Sequence, residues 1–151
     1  LHRRELLKSI KALKQLIHII NKLSIKYKVN ILFPVHPNTK KVLRNNKIKL
    51  NKNIITTRPV GYLKFLNLIN NSQFILSDSG GIQEESCILK KPLITLRENT
   101  ERPETIDIKC NHLAFLNYNN IEKIISKNLI KINKWKSPYG NNVSKKIISI
   151  L

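Results

Sequence analysis

The residues best placed to do chemistry run from Ser77 to Glu85: Ser77-Asp78-Ser79-Gly80-Gly81-Ile82-Gln83-Glu84-Glu85. An apolar stretch, Phe74-Ile75-Leu76, leads into them and a helical pattern over residues 82–90 leads out. Two glycines at a strand-to-helix turn let a ligand come close to the main chain and leave N–H groups aimed at it. The positive end of the helix dipole then favours an anion such as a phosphate. Glu85 falls about one helical turn beyond Gly81 on the same face, where a carboxylate can accept hydrogen bonds from sugar hydroxyls. Phosphate donors followed by a sugar acceptor read as a nucleotide site, with Ser79, Gly80, Gly81 and Glu85 as its candidate residues.

Such a turn needs a frame. From residue 5 to 26, apolar side chains recur at Leu6, Leu7, Ile10, Leu13, Leu16, Ile17, Ile20 and Leu23, which predicts a long amphipathic helix with lysines outside. Short strands are predicted over 30–35, 53–57, 74–77, 92–96 and 112–116, and helices over 38–43, 61–71, 81–90, 120–129 and 143–151, with Asn38 as cap of the first of these. Residues 97–104 read as a polar loop bearing charges of both signs. Strands alternating with helices over short links predict an α/β fold, a three-layer doubly wound parallel sheet of Rossmann-like type. Such a sheet binds ligands beyond the carboxyl ends of its strands. The Ser79 turn and the 97–104 loop both fall at such ends.

Composition narrows the classes. The 151 residues suit one domain with a real core, and 41% hydrophobic content is ordinary for a globular chain. No apolar run reaches bilayer length, and lysines interrupt the first segment, so neither a membrane span nor a signal peptide is expected. The chain has no methionine, which reads as a piece of a longer protein. Cys87 and Cys110 lack metal-ligand spacing and read as buried structural thiols of a reducing cytoplasm. The net charge of +19 raises nucleic-acid binding, but the lysines are spread along the chain and aromatics are only 6%, without the alternation of a stacking platform. The Lys, Asn and Ile excess also fits drift in an AT-rich genome, and a positive field concentrates any anionic small substrate.

Several segments together resemble the C-terminal half of the non-hydrolysing UDP-N-acetylglucosamine 2-epimerases. Leu1-His2-Arg3-Arg4-Glu5 resembles that family's His-Arg-Arg-Glu-Asn motif, and Pro34-Val35-His36-Pro37-Asn38 its Pro-Val-His-Pro segment. Pro59-Val60-Gly61-Tyr62-Leu63-Lys64-Phe65 is similar to its Pro-Leu-Gly-Tyr-Leu-Asp-Phe segment. The Ser77–Glu85 run, Lys91-Pro92, Thr100-Glu101-Arg102-Pro103-Glu104 and Ser137-Pro138-Tyr139-Gly140 follow in order and spacing. The likeness covers nearly the whole chain.

The resemblance implies one half of a GT-B enzyme, a cytoplasmic homodimer whose two Rossmann-like domains enclose a cleft, with the N-terminal domain absent from this chain. It implies interconversion of UDP-N-acetylglucosamine and UDP-N-acetylmannosamine by elimination of UDP to a glycal and its re-addition, in the service of cell-surface polysaccharide synthesis, with no metal or other cofactor. It places Ser79, Gly80, Gly81 and Arg102 at the diphosphate, Glu85 at the ribose, Phe65 against the uracil and the Val60 backbone at its polar edge. His2 matches the active-site histidine, while Arg3, Glu5 and His36 match a regulatory substrate site.

Read alone, these residues have plainer roles. Phe65 would be core, Arg102 a surface partner of Glu101 or Glu104, and His36 a turn residue beside Pro37. Asp78 would be a cap or structural hydrogen-bonder, Glu84 would face solvent or the sheet edge, and His2 would be disordered. Departures from the family pattern are Leu6 for an asparagine, Lys64 for an acid and Asn141 for an aspartate. A UDP-sugar-dependent GT-B glycosyltransferase, or a basic nucleic-acid-binding module, would be the alternatives. The first would transfer sugar to an acceptor; the second would bind with steep salt dependence and no preference for UDP.

Overall fold

The computed structural model describes residues 9–128, 135–140 and 143–149. His2, Arg3, Glu5, Leu6 and Asn141 lie outside the described residues. The first helix, α1 (Ile10–Lys26), starts where Ser9 accepts a hydrogen bond from the Ala12 amide at 3.3 Å. Its three-and-four spacing turns Leu13, Leu16, Ile17, Ile20 and Leu23 into the interior, where each is nearly inaccessible. Strand β1 (Ile31–Pro34), helix α2 (Pro37–Asn45), strand β2 (Ile54–Thr57) and helix α3 (Tyr62–Asn70) form the first half of the remaining chain. Strand β3 (Ile75–Ser77), helix α4 (Gly80–Ile88), strand β4 (Leu93–Thr95), helix α5 (Pro103–Asp107), strand β5 (Asn111–Leu113), helix α6 (Tyr118–Asn128) and helix α7 (Val143–Ile148) complete it.

Every strand pairing is parallel, as the alternation of periods predicts. The strands nevertheless form two hydrogen-bonded sheets, β1-β2 and β3-β4-β5, rather than one. Between β1 and β3 lies a largely apolar cavity of about 550 Å³, lined among others by Phe33, Phe65, Phe74, Ile82, Leu96 and Ser77. One hydrophobic cluster spans both sheets: the α1 residues pack with Phe33 and Ile54 of the first and Ile94 of the second, and with Ile121 and Ile125 of α6. Among the described residues no helix is long and apolar enough to cross a membrane.

Two local readings change. His36, not Asn38, caps α2: its Nδ1 accepts from the Asn38 amide at 3.3 Å, and Pro37 takes the first helical position, where its missing N–H costs nothing. Within the expected polar loop, Pro103 likewise opens the five-residue helix α5. A proline followed by Glu104 is the sequence signal for such a start, masked here by the shortness of the helix.

Four helices end in the same way. Lys28, Lys47, Lys90 and Lys109 have φ between 50° and 60°, in the left-handed region that favours glycine. Each donates its amide to the carbonyl three residues back: Ile25, Arg44, Cys87 and Ile106. The following amides of Val29, Ile48, Lys91 and Cys110 reach Ser24, Leu43, Ser86 and Thr105, which completes the Schellman pattern each time. The chain has only 4 glycines, and it meets this requirement with lysine. The cationic side chains offset part of the left-handed cost by standing at the negative ends of the helix dipoles.

Two outcomes follow. Replacing Lys28, Lys47, Lys90 and Lys109 by glycine together raises the free energy of unfolding, by up to about 1 kcal/mol per site, as read from denaturant midpoints. His112, more than half buried in β5, is held below its usual value of 6.5 by burial. A depressed folded value means that the unfolded chain binds the proton more tightly. Stability is therefore full above about pH 6.5 and declines as pH falls through that value and then through the folded one. Comparing denaturation at about pH 8 and about pH 5.5 shows this loss, and His112→Gln reduces it.

Candidate functional site

The carboxyl ends of β2, β3 and β4 feed the three segments that carry the candidate residues. Beyond β3, the Ser79 backbone is extended and its hydroxyl makes no capping bond to α4. Its amide instead donates to Ser77 Oγ at 3.2 Å, which tightens the turn. Among the described residues the first-turn amides of α4 thus carry no side-chain acceptor, the arrangement that receives an anion. Neither glycine has a positive φ, and a Cβ added to Gly80 or Gly81 would meet no atom within 4 Å. Backbone strain and internal packing therefore do not demand glycine here. What the glycines leave is open space over a helix N-terminus.

Helical geometry stacks Glu84 over Gly80 and Glu85 over Gly81. Glu84 pairs with Nε of Arg102, whose side chain is about one-third exposed. Arg102 Nη1 also donates to the Glu101 carbonyl at 2.9 Å, and the Glu101 carboxylate lies 3.5 Å from Arg97. The carboxylate of Glu84 raises the Arg102 pKa further, so the guanidinium is charged at every accessible pH. Glu84 accordingly faces a cation, not solvent alone.

Glu85 is half-buried, and its carboxylate stands near enough to the exposed Tyr62 hydroxyl to raise the Tyr62 pKa. Tyr62 opens α3, so this proximity sets the segment after β2 beside the helix after β3. Val60 is half-buried just before α3, and Phe65 on α3 is half-buried along the cavity between the sheets. Ser79, Gly80, Gly81, Glu85, Arg102 and α3 with Phe65 are therefore brought to one region. His36 stands exposed at the start of α2, committed to capping.

Sequence reasoning passed over the supports. Gln83, Thr95, Thr105 and Asn111 are polar yet essentially inaccessible, as is Asp78, which the sequence did mark as structural. Tyr139, of the Ser-Pro-Tyr-Gly segment, donates to Glu104 Oε1 at 2.8 Å; its pKa is raised, first by burial and then by that carboxylate. Trp135 Nε1 donates to the Cys87 carbonyl at 3.0 Å. The segment 135–140 is thereby fastened to α4 and α5 behind the site. Cys87 and Cys110 are free and buried, as expected, and neighbour each other; burial and then Cys87 push the Cys110 thiol upward. A pattern of polar residues at strand and helix positions otherwise apolar was the available signal.

The sequence model of the family described as UDP-N-acetylglucosamine 2-epimerase matches residues 1–151. The chain is 47% identical over 152 residues to a UDP-N-acetylglucosamine 2-epimerase of Methanococcus maripaludis, covering 98% of this chain and 42% of that one. It superposes with a TM-score of 0.89 and 44% identity on the Methanocaldococcus jannaschii UDP-GlcNAc 2-epimerase in complex with UDP-GlcNAc and UDP, over 99% of this chain and 42% of the other. The enzyme of Neisseria meningitidis bound to UDP-GlcNAc gives a TM-score of 0.75 at 34% identity, over 90% and 40%. The chain thus spans about two-fifths of the length of these relatives.

The open space over the helix start yields a test that separates folding from binding. Gly81→Ala stabilises the fold by up to about 1 kcal/mol, because alanine is the better helix former. The same methyl group crowds an anion at the amides, so pyrophosphate binding weakens. Thermal unfolding and calorimetric titration on one preparation read both effects.

Proposed function

Because this chain belongs to the UDP-N-acetylglucosamine 2-epimerase family, we propose that it is the nucleotide-binding domain of such an enzyme and binds UDP and UDP-N-acetylglucosamine. The observation that carries this reading is the uncapped start of α4 with Glu85 stacked over Gly81. Amides of Gly80 and Gly81, with the Ser79 hydroxyl, would hold the diphosphate. Glu85 would take the ribose hydroxyls, since one carboxylate offers about four acceptor positions. Arg102 would approach the diphosphate with the guanidinium hydrogens that Glu84 and Glu101 leave over. Phe65 would pack on uracil, with the main chain at Val60 meeting its polar edge.

In the whole enzyme, the proposed reaction breaks the anomeric C–O bond as a proton leaves the second sugar carbon, giving UDP and a glycal, and UDP then adds back with inversion at that carbon. An acid and a base must flank the sugar, so a second domain is needed to complete the cleft and exclude water. Leu63, 80% exposed beside the site at the start of α3, supports a partner surface there. Of the residues outside the described ones, His2 is proposed at the reacting sugar, and Arg3 and Glu5 at a regulatory substrate with His36. A cytoplasmic homodimer serving cell-surface polysaccharide synthesis is the proposed setting.

Titration with UDP tests the site: Glu85→Ala weakens binding by about tenfold, whereas equal binding by both proteins removes the assignment. Incubating the chain joined to its N-terminal domain with UDP-N-acetylglucosamine tests the reaction. Appearance of UDP-N-acetylmannosamine without an acceptor is the expected result; transfer only when an acceptor is added would make it a glycosyltransferase.

A further inference from the structure

Resting on the nucleotide reading, we infer that Gln83, Thr100, Asn111 and Thr105 form a positioning ring that sets the main chain of Arg102 and so aims its guanidinium at the ligand's diphosphate. The ring begins and ends on Arg102 itself. The Arg102 amide donates to Thr100 Oγ1 at 3.0 Å, and that hydroxyl donates to Gln83 Oε1 at 2.5 Å. Asn111 Nδ2 donates to the same Gln83 oxygen and to Thr105 Oγ1, both at 3.0 Å. The Thr105 hydroxyl then donates to the Arg102 carbonyl at 2.6 Å, and Thr95 Oγ1 donates to Asn111 Oδ1 at 2.7 Å.

The proton directions agree throughout. Each hydroxyl gives one hydrogen, and both hydrogens of the Asn111 amide are used while its oxygen accepts. Gln83, Thr95, Thr105 and Asn111 are each at most 1% exposed, so the bonds that meet at Asn111 form away from water, where polar bonds are strengthened, while those of Thr100 and Arg102 are part-buried. Gln83 Nε2 has no partner among the described residues. The side chain is thus placed for its oxygen, the junction at which the Thr100 and Asn111 arms meet.

One feature ties the ring to ligand positioning. The Arg102 side chain meets Glu84, the residue next to Gln83 on α4. One helix therefore holds the Arg102 main chain through Gln83 and its side chain through Glu84, while offering its own N-terminus to the anion. Gln83 and Thr100 touch no ligand in this scheme; they act through Arg102.

UDP affinity of the full chain, measured by calorimetry, tests this in Thr100→Val, Thr100→Ser, Gln83→Met and Arg102→Ala, and in each of the first three combined with Arg102→Ala. Thr100→Val keeps the shape and removes the hydroxyl, and is expected to weaken UDP about tenfold, with Gln83→Met similar. Thr100→Ser retains most of the affinity. In the Arg102→Ala background neither Thr100→Val nor Gln83→Met weakens binding further, because the group they position is gone. Losses that multiply in that background, or Thr100→Val binding like the parent while Arg102→Ala is weakened, overturn the positioning role alone. Arg102→Ala binding UDP like the parent overturns this inference and leaves the nucleotide reading standing, whereas a parent that binds no UDP overturns both.

Discussion

The packing of α1 is the constraint on which the site depends. Among the described residues no ladder joins β1-β2 to β3-β4-β5, so apolar side chains must do what strand pairing does in a continuous sheet. Leu13, Leu16, Ile17, Ile20 and Leu23 supply that joint, packing with Phe33 and Ile54 on one side and Ile94 and Leu96 on the other. Burial of a side chain of this size contributes about 1.5–3 kcal/mol, and it is insensitive to direction. The segments that follow β2 and β3 are therefore held together by a nondirectional force, which brings the Tyr62 hydroxyl near enough to Glu85 to feel its charge.

Helix α4 is the organising element of the second sheet. Its first turn faces outward without a cap, its second turn presents Glu84 and Glu85, and its inner face inserts Gln83, Ser86 and Cys87 among buried groups. Arg102, Asn111 and Trp135 all fasten to it or to its side chains. A nine-residue helix with little apolar surface is a weak element alone. Its position is held by polar bonds from three different segments, and that is the usual way to hold a ligand-facing terminus still.

The fold class was legible because the periods of three and four in α1, α3 and α6 and the short apolar runs of β1 to β4 are local properties of the chain. The same holds for the turn Ser79-Gly80-Gly81, whose chemistry is written in adjacent residues. The break between β1 and β3 was not legible, since edge pairing between strands some forty residues apart leaves no local mark. His36 as a helix cap was hidden for a different reason: histidine is an uncommon cap, and Asn38 is a common one. The pairing of Arg102 with Glu84 was not legible either: the plainer reading looked to near neighbours, Glu101 or Glu104, whereas Glu84 arrives from 18 residues away. The buried ring around Gln83 and Asn111 needs four separate segments, so only the folded chain displays it.

The lysines that close four helices have a consequence for the electric field around the molecule. Lys28, Lys47, Lys90 and Lys109 each stand just ahead of a strand, β1, β2, β4 and β5 in turn, and so at the amino edge of the sheets. The proposed ligand site lies at the carboxyl edge. With a screening length of about 8 Å at physiological ionic strength, cations on the far rim contribute almost nothing at the mouth. The large formal charge is thus a poor measure of the attraction a phosphate would meet there, because these four cations stand on the opposite side.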